Sequence, residues 1–123
     1  MSNTSLADEI RWLPFRDTSH RSTLLCLMAR ARIGTADDAF VPLYLLAATG
    51  PHSECYVGPS GIDFDGLAKA SVRMGSAVTA LLQLAEALSK PDSPFDITQV
   101  LSALEGTPEH SIAVQALRMK WEI

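Results

Sequence analysis

The stretch GLAKASVRMGSAVTALLQLAEALS, Gly66–Ser89, decides the fold. Its apolar residues Leu67, Ala70, Met74, Ala77, Val78, Leu81, Leu84, Ala85 and Leu88 recur every three or four positions. Lys69, Arg73, Ser76, Gln83 and Glu86 fall mainly on the other side, which is the period of an amphipathic helix. A helix over the whole span is on the order of 36 Å long at 1.5 Å rise per residue, as wide as a small domain, so it is expected at the centre of the fold. Asp63 or Asp65 caps its start and Pro91 marks its end. Gly75 in its middle weakens a helix by about 1 kcal/mol relative to Ala and predicts a close helix crossing or a small kink.

Downstream, DITQVLSALEG opens with Asp96 and Gln99 at capping-box spacing, aligns Ile97, Val100, Leu101 and Leu104, and stops at Gly106. Thr107 and Pro108 then restart a helix as N-cap and first helical residue. This last helix, about Pro108 to Trp121, offers Ile112, Ala113, Ala116, Leu117 and Trp121 for burial. Upstream, SLADEIRWL predicts a short helix ending before Pro14. RSTLLCLMARARI predicts a second, apolar at Leu24, Leu25, Leu27, Met28 and Ala31, with Gly34 as its stop. FVPLYLLAAT predicts a third that begins near Pro42 or bends there, and ends at Gly50 and Pro51.

Between the third helix and the central one lies ATGPHSECYVGPSGIDFDG, Ala48–Gly66, with four of the chain's seven glycines. An EF-hand frame on GIDFDG puts Gly61 and Val72 where an acid and a glutamate are required, and a phosphate loop would need Lys and Ser or Thr where Leu67 and Ala68 stand. Both readings fail. His52 and Cys55 are spaced like half a zinc site, with His20 and Cys26 as distant partners, and no acid or oxyanion donor supports Cys55 as a nucleophile with His52 as its base. The economical reading is a connector: Cys55–Val57 and Ile62–Phe64 as short extended pieces around the GPSG turn. Connectors longer than about twelve residues still often carry binding functions.

The chain has 123 residues, 47% apolar content and a formal net charge of −4, a size at which one hydrophobic core suffices. Mean hydropathy of +0.13 is high for a domain exposed to water and points to a well-filled core or a partner-covered apolar patch. No apolar run reaches the ~18 residues of a membrane span, and MSNTSLADEI has neither the positive flank nor the apolar stretch of a signal peptide. A cytoplasmic, non-membrane protein with Cys26 and Cys55 as free thiols is expected. Charge is segregated. Five arginines and one acid lie between Arg11 and Arg32, whereas Ile33–Ala68 has no Lys or Arg but contains Asp37, Asp38, Glu54, Asp63 and Asp65.

IRWLPFRDTSHR interleaves Arg11, Arg16 and Arg21 with Trp12, Phe15 and His20, a mix suited to phosphates and bases, although Trp12 and Phe15 serve equally as core residues. The final helix pair has a helix-turn-helix outline, but Pro108, Glu109 and His110 stand where a reading helix exposes basic and amide groups. No Ser-His-Asp grouping or paired carboxylates occur.

The expected architecture is therefore all-α: one domain, 1–123, of five to six helices around 66–89, with room for one short β-hairpin near 55–64. The expected function is a small non-catalytic protein-interaction or regulatory module that self-associates and uses no cofactor or metal. Its binding residues are Arg11, Trp12, Phe15, Arg16 and Arg21, with His52, Glu54, Cys55 and Tyr56 as a second candidate surface. The alternatives are a nucleic-acid-binding regulator using the same arginines or the C-terminal helix pair, and a metal-binding or thiol protein centred on His52 and Cys55.

Overall fold

The computed structural model describes residues 15, 17–34, 37, 39–89, 97–107 and 109–121, with the backbone alone at 97, 120 and 121. Along these residues run α1 (Thr18–Ala31), α2 (Phe40–Thr49), a 3₁₀ helix (Pro51–Tyr56), β1 (Val57–Gly58) and β2 (Gly61–Ile62). After them come α3 (Phe64–Ala70), α4 (Ser76–Ser89), α5 (Ile97–Leu104) and α6 (Glu109–Trp121). The fold is mostly helical with one small antiparallel hairpin, as the sequence predicts. The expected helix over SLADEIRWL, the Asp96 cap, Pro91 and Pro108 lie outside the described residues.

The centre of the fold is α2, not the Gly66–Ser89 stretch. All ten α2 residues are buried, and α2 packs against α1, α4 and α6. A helix that is apolar on every side can satisfy its surface only in a core. Leu43, Leu45 and Leu46 have no exposed surface, and each contributes about 1.5–3 kcal/mol of transfer free energy. Pro42 is the third residue of the helix, where its missing N–H is one that no intrahelical carbonyl would have bonded. Asp37 closes that end, its carboxylate accepting from the Ala39 N–H at 3.0 Å and its carbonyl from the Phe40 N–H at 3.0 Å.

The expected long helix is two helices. Ser71 ends α3, residues 71–75 form a turn, and Gly75 sits at φ 102°, outside helical space. Its carbonyl then accepts from both the N–H and the hydroxyl of Thr79 at 3.2 and 3.1 Å, starting α4 in a new direction. The apolar period runs through the break in the sequence, yet Ala70 and Met74 are exposed because they belong to the end of one helix and the turn before the next.

Cap chemistry fixes most other boundaries. Asp17 accepts from the His20 N–H at 2.8 Å, so α1 starts at Thr18 rather than at Arg21. Its end comes at Arg32, which takes the left-handed conformation at φ 60°, and both the Arg32 and Ile33 N–H groups return to the Met28 carbonyl. Gly34, the expected stop, is not used for that purpose and has no positive φ. Asp63, not Asp65, caps α3, accepting from the Gly66 N–H at 3.0 Å. Gly106, at φ 81°, ends α5 as expected, and the Thr107 hydroxyl donates back to the Leu104 carbonyl at 2.6 Å. The core closes with Leu24, Leu27 and Met28 of α1, Leu81 and Leu84 of α4, Val100 and Leu104 of α5, and Ile112, Ala113, Ala116 and Leu117 of α6.

Candidate functional sites

Of the arginine-rich segment, Arg11, Trp12 and Arg16 lie outside the described residues. Phe15 is half-buried, edge-on to the His20 ring at 5.0 Å and 6.0 Å from the Tyr44 ring. It supplies packing to the core, as the alternative reading of this residue requires. His20 itself is 1% exposed, its ring lies 4.9 Å from the Tyr44 ring and tilted to it, and its Nε2 lies 2.9 Å from the Tyr44 carbonyl oxygen, which makes Nε2 the protonated nitrogen. Burial raises the Tyr44 phenol well above its usual range. This aromatic cluster joins the α1 N-terminus to α2. Arg21 is exposed on α1, as is Arg30. From one to the other the helix makes about 2.5 turns, so the two point to opposite sides. Arg30 also spends its Nε–H on the Val57 carbonyl at 3.1 Å, holding β1 to α1.

The second surface, His52, Glu54, Cys55 and Tyr56, is the 3₁₀ helix, and three of its four residues engage neighbouring elements. Glu54 accepts from the Cys26 thiol at 2.6 Å, across to α1. That hydrogen bond, then burial and the carboxylate's charge, push the Cys26 thiol upward in pKa against a smaller opposing pull from Arg30, which favours the protonated thiol. His52 Nε2 lies 3.4 Å from Ser71 Oγ, tying the 3₁₀ helix to the end of α3. Desolvation lowers the His52 pKa and keeps the ring neutral near pH 7. Tyr56 places its ring against Gly66. Only Cys55 is exposed.

A neutral imidazole beside a hydroxyl is half of a nucleophilic arrangement. Ser71 is 2% exposed, although it borders the groove between α3 and α4, so little of its surface is open to an incoming carbonyl. His52 is engaged with Ser71 rather than with Cys55. His20 and Cys26, the distant partners for a zinc site, are held by Tyr44 and Glu54. Among the described residues no group of three or more His, Cys, Asp and Glu side chains is arranged around a metal position.

Sequence reasoning missed a third location. A groove of about 390 Å³ lies between α3 and α4, with Phe64, Ala68, Val72 and Leu82 among its apolar lining and Asp65 and Glu86 among its polar lining. At its end stands the 71–75 turn, where Val72 is 75% and Met74 44% exposed, the two large hydrophobic residues left open among those described. The missed signal is Gly75 in SVRMGS: Met74 is in phase with the apolar face of a continuous helix and is exposed because that helix breaks, whereas Val72, two positions earlier, falls on the opposite side in either case.

No helix among the described residues is long and apolar enough to cross a membrane. No protein-family model, no curated protein and no solved structure matches the chain.

Proposed function

We propose that this chain is a small, non-catalytic protein-interaction module, regulatory in role and acting in the cytoplasm, which works by presenting the α3–α4 face to a protein. The observation that carries the reading is the exposure of Val72, which lines the groove, and of Met74 in the same turn, while the remaining large apolar residues described are buried or half-buried. Burying such a pair against a partner recovers about 25 cal/mol for each Å² removed from water, which favours a protein surface over a solvated one. Of the arginine segment's described residues, Phe15 packs into the core and Arg21 faces away from Arg30, so these two arginines form no continuous basic stripe of the kind a nucleic-acid backbone follows.

Native mass spectrometry of the protein isolated from its own cells tests this reading. A complex with protein subunits, its own or another's, supports it. Retained nucleic acid or stoichiometric zinc without a protein partner overturns it in favour of the arginine segment or of the His52 and Cys55 region.

A further inference from the structure

We infer that His52 is an acid-sensitive latch on the α3–α4 groove: protonation of its ring releases Ser71 and loosens the 71–75 turn that follows α3. The inference concerns the same face as the interaction reading but does not rest on it.

His52 stands between two backbone segments. On one side its Nδ1 lies 3.2 Å from the point that a Cβ on Gly50 would occupy, so the ring closes over the Gly50 methylene. On the other its Nε2 meets Ser71 Oγ at 3.4 Å, its one hydrogen-bond partner among the described residues. Ser71 in turn fixes the break between α3 and α4. Its N–H donates to the Leu67 carbonyl at 2.9 Å, and its carbonyl accepts from the Met74 N–H at 3.0 Å. Ser71 also lines the groove together with Val72. The His52 ring therefore ties the 3₁₀ helix to the turn after which α4 takes its new direction.

This setting suits a neutral ring and not a charged one. A hydroxyl both donates and accepts, so Ser71 serves either neutral tautomer. In the imidazolium both nitrogens donate: one N–H points at the Gly50 methylene, and the other has a single oxygen at a distance long for a hydrogen bond. Nor do the charged groups described on the surrounding elements compensate. On α1, Cys26 is bonded to Glu54 of the 3₁₀ helix, Arg30 holds the Val57 carbonyl, His20 is held by the Tyr44 carbonyl of α2, and Arg21 is exposed. Asp63 caps α3, while Asp65 and Lys69 on α3 and Arg73 beyond it are exposed. In agreement, burial is the cause that lowers the His52 pKa, with no charged neighbour contributing. The ring is half-buried, so on protonation it reaches water by turning outward, and Ser71 loses the contact.

A pH titration of the ¹⁵N-labelled full chain by NMR, from about pH 8 to 5, tests the latch through the His52 ring protons and the amides of residues 72–75. The amides are expected to shift along one curve with the ring, with its midpoint below the ordinary 6.5. In His52→Gln their shift over this range should fall about fivefold or more, because the titrating group is gone. In Ser71→Ala the ring should still titrate while the amide shift falls at least about twofold, because ring and turn are no longer tied. Far-UV circular dichroism at neutral pH checks that both variants are folded. Amides at 72–75 that stay fixed over the whole range in the wild type, or that move equally in His52→Gln, overturn the latch. Coupled titration in a protein whose native complexes hold no second subunit would leave the latch standing without the interaction reading.

Discussion

Gly66→Ala sets two physical arguments against each other. Gly66 is the third residue of α3, and by helix propensity alone alanine there should stabilise the protein by about 1 kcal/mol. The structure predicts the opposite sign. A Cβ at Gly66 would lie 2.7 Å from two carbons of the Tyr56 ring and 2.5 Å from Asp63 Oδ2. Carbon atoms pack at about 3.5–4.0 Å, so the ring must withdraw by about 0.8 Å or more. Tyr56 is not free to do so cheaply: its carbonyl accepts from the Asp63 N–H at 2.8 Å, beside the mouth of the hairpin. Overpacking of this kind costs about 1–3 kcal/mol. Displacing the Asp63 carboxylate from the Gly66 N–H costs about 1 kcal/mol more. After the propensity gain, Gly66→Ala should destabilise by about 1–3 kcal/mol, a fall in Tm of roughly 3–6 °C per kcal/mol for a domain of this size. Urea denaturation followed by circular dichroism reads the change. Removing the ring should relieve it, so Gly66→Ala should cost at least about 1 kcal/mol less in a Tyr56→Ala background. Gly34→Ala serves as the control, because nothing lies within 4 Å of its Cβ and its φ is not positive; it should be neutral or stabilising by up to about 1 kcal/mol. A Gly66→Ala protein as stable as the wild type would refute the close approach of Tyr56 and Asp63.

His20→Ala opens a void among Phe15 and Tyr44 and strips the buried Tyr44 carbonyl of a donor, so a loss of about 2–4 kcal/mol is expected in the same denaturation assay. Arg32→Gly removes a side chain from a left-handed position and should stabilise by about 1 kcal/mol; a loss would show that the arginine makes a contact worth more than its backbone strain. Thiol titration at pH 8 should show one fast group, Cys55, and one slow group, Cys26, with the fast phase absent in Cys55→Ser. Glu54→Gln removes the carboxylate charge that opposes the Cys26 thiolate, so Cys26 should react faster; an unchanged slow rate would contradict the Cys26–Glu54 contact. The folded-state pKa of His52 is depressed below its ordinary 6.5, so the unfolded chain takes up its proton first. The share of stability due to His52 is therefore complete above about pH 6.5 and lost as pH falls through the folded value. His52→Gln should flatten the fall in Tm between about pH 7 and 5, and an identical slope would remove His52 as a contributor.

The fold class was legible because apolar periodicity and caps are local. Helices occur over RSTLLCLMARARI, DITQVLSALEG and the final segment, but the first starts at the Asp17 cap displayed in DTSH and ends at Arg32 rather than at Gly34. The central helix was not legible as read, since length and amphipathicity favoured Gly66–Ser89 over the shorter FVPLYLLAAT. The decisive signal was present: ten residues without a polar face cannot sit at a surface, and an amphipathic stretch must. The break at Gly75 was underestimated because propensity treats glycine as a weak helix residue, whereas at φ 102° it is a change of direction. The candidate sites suffered for the same reason. The roles of Glu54, His52 and Tyr56 depend on Cys26, Ser71 and Gly66, partners 28, 19 and 10 positions away that no spacing rule brings together. The exposure of Met74 exists only once the helix is broken, whereas Val72 lies off the apolar face even of a continuous helix.

The most direct test of the proposed α3–α4 interaction surface compares wild type and Val72→Asp, each isolated from the protein's own cells and weighed intact by native mass spectrometry. The account predicts that the wild type carries a second protein subunit and that Val72→Asp, equally folded, does not. If both retain the same subunit in the same proportion, the α3–α4 face is not the surface this protein uses.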